Sequence, residues 1–388
     1  MTEIADFEHN GISIATSEPM SPMGPPGPNV VAVVGTAPDK DASVQLDTPV
    51  RIASPADHVL IDSTGAEQGS LIQLLKKTHQ KAGVVIYAIV VAEGVDEAAT
   101  TVNVIGAVSG STRTGIEAMS ECAERPTIIA APGYSHQKSV IDALAAMGKR
   151  LLARVVCDGT NTDSAAAIAL SDSLGGVGTG HDRCLVVDPS VDIYSSAAQG
   201  TISVPGSVVS VGALAAVKQW ESWQNQGLLI EDTARTIEYN ISDMTTEADL
   251  LNKHGITAIC RTDMGGFSII GNRTVTGRFV SHVGLEDTIA RKLQATSQIY
   301  MGKNLTKSFM EQVIRRINNF LQDLRREDAL IDAQVMLHPT KNSVSNYTAG
   351  KWYVLMNYGR YSPNEHTVFE LAADNTIVET FLEGVING

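Results

Sequence analysis

Between residues 127 and 189 the chain alternates two kinds of segment. TIIAAPG (127–133), LLARVVCDG (151–159) and RCLVVDP (183–189) are nearly unbroken apolar runs, each closing on a turn dipeptide. Between them lie HQKSVIDALAAMGKR (136–150) and DSAAAIALSDSLG (163–175), both with helical spacing. A strand that is apolar along its whole length has no solvated face, so it must be covered on both sides. Strands joined through helices run parallel. The pattern predicts an α/β domain with a covered parallel sheet. PGSVVSVGALAAVKQW (205–220) adds a helix and HGITAICRT (254–262) a strand to this pattern, while VVAVVGTAP (30–38) and VVIYAIVV (84–91) read as strands and SLIQLLKKTHQKAG (70–83) as a helix of the region before it. Residues 96–125 read as small and polar, then helical from Thr114.

From about Thr276 the grammar changes. LEDTIARKLQATSQIYMG (285–302) reads as a helix. In LTKSFMEQVIRRINNFLQDLRRE (305–327) Leu305, Phe309, Val313, Ile317, Phe320 and Leu324 form one stripe at helical spacing, with Ser308 and Glu311 as a capping box. ALIDAQVML (329–337), KWYVLMNYGR (351–360) and HTVFELAA (366–373) read as strands, which makes this a C-terminal α+β domain. Both termini also read as strands. GISIATSEP (11–19) precedes PMSPMGPPGPN (19–29), whose five prolines and two glycines make a semi-rigid linker. In NTIVETFLEGVIN (375–387), Val378, Thr380 and Leu382 point one way, and Ile377, Glu379, Phe381 and Glu383 the other. The expected division is an N-terminal arm (1–20), a linker and outer region (21–100), an α/β domain (101–275), an α+β domain (276–374) and a C-terminal arm (375–388). An apolar strand left unpaired at a terminus is an aggregation hazard, so both arms need a partner edge.

Little in the chain points to chemistry. The formal charge is −14, which argues against nucleic acid as the main partner. The N-terminal MTEIADFEHN is acidic and is not a signal peptide, and GVVIYAIVVAEG (83–94) falls short of the ~20 apolar residues a membrane span needs. The four cysteines are widely spaced and fit buried core positions. GGVGTG (175–180) fits no phosphate-loop spacing, GYSHQ (133–137) lacks the second glycine of a nucleophile elbow, and the nine histidines form no metal motif. No cofactor or metal is expected. The exception is the carboxyl edge of the sheet, where ligands bind open α/β folds. Asp158 and Asp188 sit there in sequence, either to hold a metal or act as the acid and base of a cytosolic enzyme, or as turn caps.

Eight segments, in order, resemble the tail sheath proteins of contractile phage tails and R-type pyocins: STRTGIEAM (111–119), RPTIIAAPGYS (125–135), LLARVVCDGTN (151–161), CLVVDPSVDI (184–193), LLNKHGITAI (250–259), GGFSIIGNRTV (265–275), VIRRINNFLQDLRREDALIDAQV (313–335) and YSPNEHTVFEL (361–371). One departure is Ile270, where the family often carries tryptophan. The resemblance implies a subtilisin-like middle domain without protease activity, and neither a G-T-S nor an H-G-T-H motif is present here. It implies a structural subunit, not an enzyme. Such subunits polymerise as a helical sleeve, in hexameric rings, around an inner tail tube, with baseplate and terminator proteins at its ends. The sleeve contracts to drive the tube through a bacterial envelope. The setting implied is a virion tail or tailocin assembled in the host cytoplasm, with no membrane insertion. Ile12, Ser13, Ile14 and Ala15 of the N-arm, and Ile377, Val378, Thr380, Phe381 and Leu382 of the C-arm, are then strands lent to neighbouring subunits. Between Thr288 and Arg326 there are eight basic residues and two acidic ones. Of these, Lys303, Lys307, Arg315 and Arg316 are the expected tube contacts.

Overall fold

The computed structural model describes residues 23–387 with the exception of Met264. Its largest element is a nine-stranded sheet. From edge to edge the order is Gly227–Leu228, Phe267–Ile270, Ile256–Arg261, Cys184–Asp188, Arg154–Asp158, Ile128–Ala130, Val30–Gly35, Val85–Val90 and Pro49–Ile52. The six central strands run parallel, and the pairings outside them, at both edges, are antiparallel. The apolar runs are buried on both faces, as their composition requires. Val31, Val33, Val156 and Leu185 enter one core with the helices Leu71–Lys81 and Ser207–Ala216. Val30, Ala32, Val34, Val155 and Cys157 enter the other, with Lys138–Leu151. Each such fully buried aliphatic side chain contributes about 1.5–3 kcal/mol.

Three expectations change in this region. Strands Val30–Gly35 and Val85–Val90 lie inside the same sheet as the middle strands, so the boundary expected at residue 100 has no counterpart in the sheet. In 96–125 the α-helix is Glu97–Ile105, begun by the Asp96 carboxylate accepting from Ala99 N at 2.7 Å; Gly115–Glu121 is a 3-10 turn. A hairpin, Val191–Ser195 with Gly200–Val204, was not anticipated.

The second unit follows from Val280. Helices Val280–Ser297 and Lys307–Arg326 pack with the antiparallel pair Leu330–Leu337 and Val354–Arg360. Val313, Ile317, Phe320, Leu321 and Leu324 are buried here, so the predicted stripe faces this core. The helix cap is Thr306, accepting from Phe309 N at 3.2 Å, and not Ser308. From Met23 onward the linker is docked: Met23 is buried in the same core, Lys292 Nζ donates to Pro25 O at 3.0 Å and Gln219 Nε2 to Gly27 O at 3.0 Å.

This unit sits against the amino ends of the central strands, over a seam rich in arginine. Asp287, 2% exposed, accepts from Arg183 Nε at 3.0 Å and Nη2 at 2.7 Å. Arg183 Nη1 also reaches the exposed Asp182 at 2.9 Å. Arg154 is buried and donates to Asn29 Oδ1 at 3.2 Å; burial pushes its pKa down to about 9. Arg291, bonded to Leu152 O and Gln219 Oε1, is pushed down to about 10 for the same reason. Gly284 permits the close approach, since a Cβ there would lie 1.8 Å from Gln219 O.

The chain's last stretch differs most from expectation. Residues 361–374, read in part as a strand, have no regular structure, and Asn375–Asn387 is an α-helix where a strand was expected. The period explains it. At 100° per residue Ile377, Val378, Phe381, Leu382, Val385 and Ile386 share one half of the helix circumference, whereas either face of a strand mixes apolar with polar residues. Ile12, Ser13, Ile14 and Ala15 lie outside the described residues.

Candidate functional site

Asp158 and Asp188 end neighbouring parallel strands, where ligand chemistry is usually found. Both carboxylates are taken up by the fold. Asp158, 4% exposed, accepts from Ser135 Oγ at 2.7 Å, Ser207 N at 2.8 Å and Gly133 N at 3.3 Å. Burial raises its pKa, and its position at the start of helix Ser207–Ala216 makes it a cap. Asp188, fully buried, accepts from Asn161 N at 2.9 Å and pairs with Arg235, which also binds Glu247. His136 is on the surface beside Glu97, 3.7 Å away, and no group of three or more His, Cys, Asp or Glu fit for a metal occurs among the described residues.

The C-terminal unit offers more. Its sheet has only two strands, so each has an outer edge with no strand beside it among the described residues. Ile331, Met336 and Leu337 are exposed on it. Two strands are too few for a self-sufficient sheet, and open N–H and C=O groups are a template for further strands. Sequence reading did not single out these open edges.

The basic residues separate into two groups. Lys307 has a side chain 90% exposed, with only Glu311 near it at 3.9 Å, and Lys303 and Arg315 are exposed. Arg316 is not a surface cation. It is 8% exposed, donates to Tyr300 Oη at 3.2 Å and stacks over that ring. Arg291 and Lys292 are likewise engaged, in the seam and on the linker. The surface excess is therefore smaller than the sequence count implies.

Beyond Arg360 the chain is almost wholly exposed. Arg273 holds Glu365 at 2.7 Å and His282 meets Tyr361 O at 3.0 Å. Past these contacts Val368, Phe369 and Leu371, and all six apolar residues of the terminal helix, face solvent. A run this apolar and this uncovered marks a contact surface.

No family model matches the chain. Over 348 residues it is 28% identical to a protein named as a prophage major tail sheath protein in Pseudomonas aeruginosa (strain UCBPP-PA14), covering 86% of this chain and 88% of that one. It is 22% identical to the tail sheath protein of Escherichia phage P2, covering 94% of each. Among solved structures it is similar to the contracted sheath complex of an extracellular contractile injection system, at TM-score 0.73 and 16% identity, over 96% of this chain and 99% of that one.

Proposed function

We infer, from the chain's place among the contractile tail sheath proteins, that it is a structural subunit that polymerises into a sleeve and contracts. The near full-length likeness to tail sheath proteins carries this reading. The geometry supports it, because the carboxyl-end aspartates are consumed as internal partners while the C-terminal unit leaves strand edges open. The enzyme reading built on Asp158 and Asp188 is set aside for the same reason.

Subunits form hexameric rings stacked helically around an inner tube, bounded by a baseplate and a terminator. They are assembled in the bacterial cytoplasm into a virion or tailocin tail. The α/β unit is a subtilisin-like scaffold without a catalytic role. Residues 12–15 and 377–382 are lent to the open edges of the C-terminal units of neighbours. This contact is head-to-tail, so it propagates without closing on a dimer. Lys303, Lys307 and Arg315 face the tube; Arg316 supports them from the interior. Contraction comes from rigid-body repacking of subunit faces. A few hundred Å² of extra apolar burial per subunit supplies several kcal/mol at ~25 cal/mol per Å², without nucleotide.

Electron microscopy of the purified protein tests this. Long hollow cylinders are expected, and their loss on deleting residues 1–20 or 376–388. A discrete oligomer, unaltered by either deletion, refutes it.

A further inference from the structure

The terminal segment obeys two periods at once. As a helix it gathers all six apolar side chains on one side. As a strand it places Val378, Leu382 and Ile386 with Thr376 and Thr380 on one face, and six of its thirteen residues are β-branched (Thr376, Ile377, Val378, Thr380, Val385, Ile386). Helix formation has weak support. None of the helix residues is buried, Gly384 lies inside it, and its cap is the Asp374 carboxylate accepting from Thr376 N at 2.9 Å. Isolated helices shorter than ~12–15 residues are marginal even in favourable sequences. The sequence of the segment therefore suits either fold, and a partner that favours one form would populate it.

We propose that residues 375–387 are a two-state assembly element, helical in the free subunit and converted to a strand when the segment joins the C-terminal unit of a second copy. Two observations identify a second copy as the partner. That unit has open strand edges with Ile331, Met336 and Leu337 exposed beside them. Charge also matches: residues 361–388 carry five acidic side chains (Glu365, Glu370, Asp374, Glu379, Glu383) and no Lys or Arg, whereas the exposed charges of residues 288–326 are five basic (Lys303, Lys307, Arg315, Arg325, Arg326) and two acidic (Glu311, Asp323). The helical form withholds backbone N–H and C=O groups from strand pairing, because they are bonded internally. Free subunits thus do not present a sticky strand, and conversion is coupled to arrival of the correct edge. The proposal rests on the sheath reading and adds the change of fold to it.

The test uses the full chain with probes at Thr376→Cys and Gly384→Cys, in a Cys122→Ser background because the other cysteines are buried. Eight residues span about 12 Å as a helix and about 26 Å as a strand. The short separation is expected in free subunits and the long one in cylinders. The short separation in both, or the long one in free subunits, overturns the proposal. A second variant, T380A/G384A, favours the helix through residues outside the apolar stripe. It should raise the critical concentration for cylinder formation about tenfold. A lowered critical concentration means that the segment docks as a helix, and an unchanged one that it does not dock; either overturns the proposal. Failure of the unmodified chain to form cylinders under any condition counts instead against the sheath reading.

Discussion

The seam between the two units gives the sharpest test of the energetics. Asp287→Asn preserves shape and removes one charge. Arg183 loses its buried partner, and Arg154 and Arg291 lose the carboxylate that favours their charged forms. Removing one partner of a buried pair costs about 3–5 kcal/mol, because the remaining charge stays buried. At ~2.1 cal/mol/K per residue, the 388 residues give an unfolding entropy of about 0.8 kcal/mol/K. The expected fall in Tm is then about 4–6 °C. The comparison is Asp182→Asn, which removes the exposed carboxylate 2.9 Å from the same guanidinium. Exposed pairs contribute about 0–1 kcal/mol, so this variant should stay within about 1 °C. Scanning calorimetry of the unassembled subunit reads both. A Tm for Asp287→Asn within 1 °C of the parent, or an equal fall for Asp182→Asn, refutes the claim that burial sets the value of the pair.

Three further outcomes are expected. Gly284→Ala places a Cβ 1.8 Å from Gln219 O and should destabilise by about 1–3 kcal/mol, while Gly83→Ala, whose Cβ meets nothing within 4 Å, should not; equal melting temperatures would dismiss the steric argument. His79 Nε2 donates to Val84 O at 3.0 Å, so its Nδ1 accepts from His58 Nε2 at 2.8 Å, and burial, with His79 and Lys76 nearby, pushes His58 down to about 4 from 6.5. The unfolded chain therefore binds the extra proton between those values, stability falls as pH drops from 6.5 to 4, and His58→Gln should flatten that part of a Tm–pH profile. Reversing charge at Lys303 and Lys307 should impair assembly on tubes while leaving subunit melting within about 1 °C, since both side chains are exposed; undiminished assembly would argue against tube contact.

The central strands were legible because their apolar runs admit one environment, a sheet covered on both sides. Helix Lys307–Arg326 was legible because its stripe has one period. Other segments were not, for identifiable reasons. Asn375–Asn387 satisfies two periods, and the strand reading followed its two-residue alternation while the intrachain structure follows the 3.6-residue stripe. Glu97–Ile105 is rich in alanine and threonine and has no apolar face to count; only the Asp96 cap marks its start. Arg316 was grouped with its neighbours by charge, and nothing in a local window reveals that Tyr300 takes it inside. Asp158 and Asp188 were placed correctly at the ends of their strands, but the groups that occupy them, Ser135, Ser207 and Arg235, come from distant parts of the chain.

The docked linker has a mechanical consequence. Met23 is set into the same small core that leads, through Leu330–Leu337 and Val354–Arg360, to the departing C-terminal segment. Tension applied at either end of the polypeptide is thus shared between this compact block and the few side chains, such as Gln219 and Arg273, that hold the same segments to the larger unit.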